Sequence, residues 1–152
     1  MQYEEFIKIS LHNHFGGKGA DRELNSTTQY SFDLTYAKSQ INSAKTNGFE
    51  IIGFTNKNKF VAKDYNNLKE HCNSQDILLL PGVEFDLVND LKLETKDQKF
   101  LHTVVIFSPD IDLNELESKI DECISINKIN AITIDDLVDK ILENCSKSLS
   151  VI

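Results

Sequence analysis

No long apolar run occurs in the sequence, and a membrane-spanning helix needs about 20 consecutive apolar residues, so no such helix is expected. The opening residues, Met1-Gln2-Tyr3-Glu4-Glu5, carry neither the basic flank nor the apolar stretch of a secretory signal, and a cytoplasmic location is expected. Basic residues are few: 16 Lys and Arg stand against 24 Asp and Glu, a formal net charge of -8. That balance argues against a surface that coats nucleic acid unaided. It does not exclude a local pocket in which a bound cation supplies the missing positive charge. Arginine is nearly absent, Arg22 being the single one, so bidentate phosphate clamps are scarce. Cysteine is scarce too. Cys72, Cys123 and Cys145 are odd in number and widely spaced, which fits reduced, buried thiols better than disulfides or a zinc–thiolate site.

What is present is one domain's worth of chain, 152 residues, with hydrophobic segments that alternate in period. Residues 6–11 read as a strand, with His12-Asn13-His14 at its end. A glycine-rich run over 15–22 follows. Its spacing is not that of a phosphate-binding loop, and no Lys-Ser or Lys-Thr pair follows it. Asp33 can cap a helix to about Asn47, with Leu34, Ala37, Ile41 and Ala44 on one face and Gly48 as its stop. Residues 50–55 read as a second strand, completing a strand–helix–strand unit of parallel-sheet type. A weaker helix is expected over 61–72, a short strand over 77–80 ended by Pro81-Gly82, and a further strand over 83–88. Residues 89–99 are polar and charged, a surface connection, and 102–107 form a strongly β-branched strand. Asp112 opens a helix with Leu113, Leu116, Ile120 and Ile124 on one face. Thr133 caps another, with Ile134, Leu137, Val138, Ile141 and Leu142 inward. Residues 148–152 read as the start of a strand, so the chain is expected to be a fragment of something longer, with a terminal edge strand as the alternative. The expected class is α/β with a parallel or mainly parallel sheet.

The residues able to carry chemistry lie at strand ends. His12 and His14, two apart on an extended segment, point to one side and can approach one metal ion, or two adjacent ions. Glu84 sits between Val83 and Phe85, which face the other way, so it faces either solvent or a site. His102 opens a strand, where a half-buried or capping histidine is the plainer alternative. Together the three histidines and Glu84 make an imidazole–carboxylate set suited to zinc or manganese, with Glu84 able to bridge two ions. Asp86, on the same side as Glu84, can order an imidazole. His71, at the end of a polar helix, reads as a surface or C-cap residue.

The chain resembles the PHP family, named for polymerase and histidinol phosphatase. The likeness is carried by Leu11-His12-Asn13-His14, the helix ending Ala44-Lys45-Thr46-Asn47-Gly48, Ile51-Ile52-Gly53-Phe54-Thr55, Leu80-Pro81-Gly82-Val83-Glu84 and His102, in that order. The resemblance implies the N-terminal part of an irregular, TIM-like (β/α)7 barrel that binds up to three metal ions at strand C-terminal ends and hydrolyses phosphate mono- or diesters with metal-activated water. It implies His12 and His14 as ligands of a first ion, Glu84 as the bridge and His102 on the second, with Asp21 the nearest match to a third-metal ligand. Two departures stand out. Thr55-Asn56-Lys57 replaces the family's Thr-Asp-His, and a protonated lysine cannot ligate a cation. Lys57 can instead stand near a substrate phosphate as a point charge. The family's later histidine motifs have no counterpart after His102. The expected function is therefore a phosphoesterase domain that is incomplete in this chain. The alternative is a catalytically degenerate structural or regulatory module. The strand over 102–107 followed by Ser108-Pro109-Asp110 resembles relatives joined to a C-terminal ATPase of chromosome-maintenance type. Such an ATPase region, or a partner subunit, would then be the partner, and nucleic acid would be met only through the parent protein.

Overall fold

A computed structural model of the chain describes residues 7–16, 32–88, 101–126, 132–142 and 150–151. Its elements are β1 (Lys8–Ser10), α1 (Leu34–Thr46), β2 (Phe49–Phe54), α2 (Ala62–Ser74), β3 (Leu78–Val88), β4 (Leu101–Ile106), α3 (Leu113–Ile126), β5 (Ile132–Thr133), α4 (Ile134–Asp136), a π-helical continuation Leu137–Leu142, and β6 (Ser150–Val151). The strands form one sheet in the order β1-β2-β3-β4-β6, with β5 against β3. The sheet is open and curled, an incomplete barrel of α/β type. No helix among the described residues is long and apolar enough to cross a membrane.

The sheet is mainly parallel, as expected, with one departure: β4 is reversed. β1, β2 and β3 run parallel, and β5 is parallel to β3, but β4 runs antiparallel to both β3 and β6. Parallel neighbours need a long crossover, usually helical, whereas strands joined more directly pair antiparallel. The polar residues before β4 offer little apolar face for a crossover helix. A second departure is the length of β3. The two strands expected on either side of Pro81-Gly82 are one. Phe54 of β2 stands beside Pro81, and the β4 ladder begins at Gly82 opposite Ile106, with the Phe107 N–H donating to Pro81 O at 2.8 Å. The proline thus sits at the very start of the β4 ladder, where its missing N–H breaks no interior hydrogen bond.

Two glycines allow close approach at this junction. A Cβ on Gly53 would lie 2.5 Å from Leu11 O, and one on Gly82 would lie 2.7 Å from Val105 O and 2.9 Å from Thr55 Cγ2. Side chains at either place would push apart the segments that carry the candidate site.

The helices form as their caps dictate. Asp33 accepts from Tyr36 N at 3.0 Å, and Gly48 takes the left-handed φ of 78° just past α1. Val61 offers α2 no cap, and Glu117 of α3 accepts from Ala62 N at 2.8 Å instead. Thr133 Oγ1 accepts from Asp136 N at 3.0 Å, as expected, but the helix then widens to π geometry. Leu137 and Ile141 stay buried while Ile134 and Val138, expected inward, are exposed. The core centres on Phe54, stacked on Phe15 at 5.5 Å and met edge-on by Phe60 and Tyr65. Cys72 and Cys123 are buried thiols, with burial pushing the Cys72 thiol up to about 12. Cys145 lies outside the described residues.

Candidate metal centre

The loop after β1 is held from beneath by side chains. Asn13 turns toward the sheet: its Nδ2 donates to Ser10 O at 2.8 Å and to Gly53 O at 3.3 Å, and its Oδ1 accepts from Ser10 Oγ at 3.0 Å. Thr55 Oγ1 accepts from Asn13 N at 2.7 Å, and Thr55 N donates to Asn13 O at 3.2 Å. Asn56 Oδ1 accepts from Phe15 N at 2.8 Å, and the Phe15 ring is locked into the aromatic core. With Asn13 committed inward, His12 and His14 on either side of it are turned the other way, toward β3.

On β3 the period of two places Val83, Phe85 and Leu87 in the core and Glu84 and Asp86 on the opposite face. Both acids are nevertheless buried, Glu84 being only 3% exposed. The antiparallel register sets His102 of β4 directly opposite Asp86. His12 Nε2 lies 2.9 Å from Glu84 Oε2, His14 Nε2 lies 2.5 Å from the same oxygen, and the two ring nitrogens are 3.1 Å apart. His102 Nδ1 contacts Glu84 Oε1 and lies 3.3 Å from Asp86 Oδ1. Burial by itself would raise the Glu84 pKa, but hydrogen bonds from His14, His102 and His12 outweigh it and hold the carboxyl well below the usual carboxylate range.

Lys57 reaches the same place from β2. Its backbone bridges to Glu84 in parallel register, with Glu84 N donating to Asn56 O at 3.3 Å and Asn58 N donating to Glu84 O at 2.7 Å. Its Nζ lies 3.1 Å from Asp86 Oδ2. Asn58, in the left-handed region at φ 49°, grips the same residue twice: Nδ2 donates to Asp86 Oδ2 at 3.2 Å, and Oδ1 accepts from Asp86 N at 2.9 Å.

Two overlapping sets of ligand atoms result, His12–His14–Glu84 and Glu84–Asp86–His102, each with its atoms within 4.8 Å of one another. Neighbouring ligands of a tetrahedral ion with bonds of about 2.0–2.1 Å sit roughly 3.3 Å apart; the first set, at 2.5–3.1 Å, is tighter and would open slightly around an ion. Asp86 Oδ1 is buried and, although His102 Nδ1 lies 3.3 Å away, makes no hydrogen bond, a state that a bound cation would relieve. The donor set of imidazole nitrogens and carboxylate oxygens fits a divalent ion of zinc or manganese type.

Of the residues singled out in the sequence, the structure brings together His12, His14, Glu84, His102 and Lys57. Asp21 lies outside the described residues. His71 is elsewhere, its Nε2 2.9 Å from Asn42 Oδ1 between α2 and α1. Asp86 is more than an aid to an imidazole, since its own oxygen belongs to the second set. Its place two residues after Glu84 is the signal for that. Asn56 and Asn58 were invisible as supports, because their partners are backbone and side-chain atoms distant in sequence.

No family model matches the chain, nor does any curated protein sequence. Among solved structures, a candidate metal-dependent phosphoesterase of Bifidobacterium adolescentis is similar with a TM-score of 0.45 and 12% identity, over 78% of this chain and 32% of that one. A two-domain protein of Bacteroides vulgatus containing a predicted PHP-like metal-dependent phosphoesterase is similar with a TM-score of 0.40 and 19% identity, over 73% of this chain and 28% of that one. The chain therefore spans less than a third of the length of either.

Proposed function

We propose that this chain is a divalent-metal-binding module of phosphoesterase type, with His12, His14 and Glu84 holding its principal ion. The observation that carries the proposal is Glu84: a buried, anionic carboxylate shared between two sets of imidazole and carboxylate ligands. Such sharing is the arrangement expected where hydrolytic metal sites are built around a bridging carboxylate. The sequence motifs that resemble the PHP family support the phosphoester class. A divalent ion held there supplies an acidified water and neutralises charge on a phosphoryl oxygen. The chain's own part is to hold the ligands: Thr55 and Asn56 fix the histidine loop, and the β3–β4 ladder fixes Asp86 and His102. Lys57, partly exposed beside Asp86, offers an ammonium to an anionic substrate.

A second reading is a metal-binding module without useful turnover, serving a larger protein that includes an ATPase region and meets nucleic acid through it. The Lys57–Asp86 ion pair favours this reading, because an ammonium rests on a carboxylate that a second ion would use.

Calorimetric titration of the chain with Zn2+ and Mn2+, beside Glu84→Gln checked for folding by circular dichroism, tests metal binding. Binding in the wild type and its loss in the variant are expected, and binding that survives Glu84→Gln would overturn the proposal. Aryl phosphate and aryl phosphodiester assays decide between the readings. Turnover above about 1 s⁻¹, the low end of ordinary enzymes, that vanishes in His12→Ala supports hydrolysis. Intact binding with slower turnover, the expected result, supports the second.

A further inference from the structure

We infer that Lys57 is a tethered cation standing in the second ligand set, so that the centre takes one divalent ion where its ligands alone would suit two. The inference rests on the reading of His12, His14 and Glu84 as a metal site. Lys57 Nζ lies 3.1 Å from Asp86 Oδ2, an oxygen also held by Asn58 Nδ2 at 3.2 Å. An ammonium has no lone pair to give a metal. At that distance from a ligand oxygen it repels a second cation.

The placement is built into the backbone. Lys57 is bridged in register with Glu84, and the hydrogen bonds of Asn56 and Asn58 to the Glu84 backbone flank it on both sides. The Asn58 side chain then fixes Asp86 twice, its Oδ1 accepting from the Asp86 backbone N–H and its Nδ2 donating to the Asp86 carboxylate. Two consecutive residues of one segment thus serve a single carboxylate, one as counter-charge and one as clamp. Charge arithmetic agrees. Glu84 and Asp86 contribute two negative charges. Lys57 with one divalent ion contributes three positive, and a second ion would make five. Lys57 keeps the second set neutralised without a second ion, and its side chain, one-third exposed, can offer its ammonium to a phosphate oxygen.

The test is metal stoichiometry, measured by equilibrium dialysis with elemental analysis and by calorimetry, using Mn2+ and Zn2+ on the whole chain, Lys57→Gln, Lys57→Met and Lys57→Arg. One equivalent is expected for wild type and Lys57→Arg. A second is expected in Lys57→Gln and Lys57→Met, bound at least about a hundredfold more tightly than any second equivalent in wild type. Two comparable equivalents in wild type would overturn the inference, as would the failure of both neutral variants to gain one. No equivalent in wild type would instead overturn the underlying metal reading, and the inference with it. Asp86→Asn gives an independent check should the Lys57 variants not fold. The first equivalent is expected to lose no more than the roughly 10–100-fold that outer partners cost, since Asp86 is assigned to the other set. A total loss there would overturn the inference by making Asp86 a ligand of the first ion.

Discussion

His12 and His14 reach Glu84 from a loop, whereas Asp86 and His102 reach it across a β-ladder. The ladder side needs no help to be in register: Asp86 and His102 are paired residues of adjacent strands, and pairing alone puts their side chains on one face. The loop side has no such guarantee. Its geometry is supplied by Thr55, Asn56 and the anchoring of Phe15, residues that touch no ligand atom of their own set. Yet the better-supported side is the one with an ammonium against its carboxylate, while the loop side meets Glu84 through two imidazoles. Rigidity and readiness for a cation are separate properties, and this centre divides them between its two halves.

The division can be broken most sharply by removing histidines from each half. The His12→Ala, His14→Ala double variant is expected to lose the first metal equivalent by more than the roughly hundredfold that outer-shell changes cost. His102→Ala is expected to weaken it by no more than the roughly 10–100-fold that an outer partner costs. Calorimetry on both decides, and equal losses would mean the two sets act as one. A smaller effect is expected from the loop's support. Asn56→Ala leaves the buried Phe15 N–H unpaired, which costs about 1–3 kcal/mol of stability. The same change lets the histidines drift, weakening metal binding by roughly 10–100-fold. Denaturant titration and calorimetry on that variant measure both.

The smallest effect belongs to the acid limb of stability in the metal-free chain. The Glu84 carboxyl is held below the ordinary value of 4.5 in the native state. The unfolded chain therefore takes up a proton there first as pH falls. Stability from this group is complete above about 4.5 and is lost as pH drops from there toward its depressed native value. Glu84→Gln is expected to flatten stability against pH below 4.5. A slope unaltered by the substitution would show that the three histidine contacts do not bias this carboxylate.

Much of the loop half was legible in the sequence because it is local. Asp33 as a cap, Gly48 as a stop and the His-x-His pair at a strand end all follow from rules of short range. The ladder half was less legible. His102 opens its strand, and in a mainly parallel sheet the opening of a strand lies at the opposite end from His12. The residue joins the others only because β4 is antiparallel, which places its first residues beside the last residues of β3. Strand direction is settled by connection and pairing, and no residue of β4 announces it. The unity of β3 was hidden for a related reason. Pro81-Gly82 carries the signature of a turn, and its acceptability within a strand depends on where a neighbouring ladder begins. The helix after Thr133 was read correctly at its cap and wrongly along its face, since the spacing of inward residues assumes α winding.

The side-chain bracing of the histidine loop also sets an order of events. In small zinc domains the ion is what closes the chain, and removing it undoes the fold. Here the polar backbone of Asn13 and Phe15 is satisfied by Thr55 and Asn56, and the aromatic core closes over Phe15, with no ion required. An ion bound there would meet ligands placed by the fold, reached through the outer edges of His12 and His102, whose side chains are 56% and 46% exposed. Loading would cost the ion its own water and cost the chain little freedom, so the protein could take up a metal, lose it and take it up again without passing through an unfolded state.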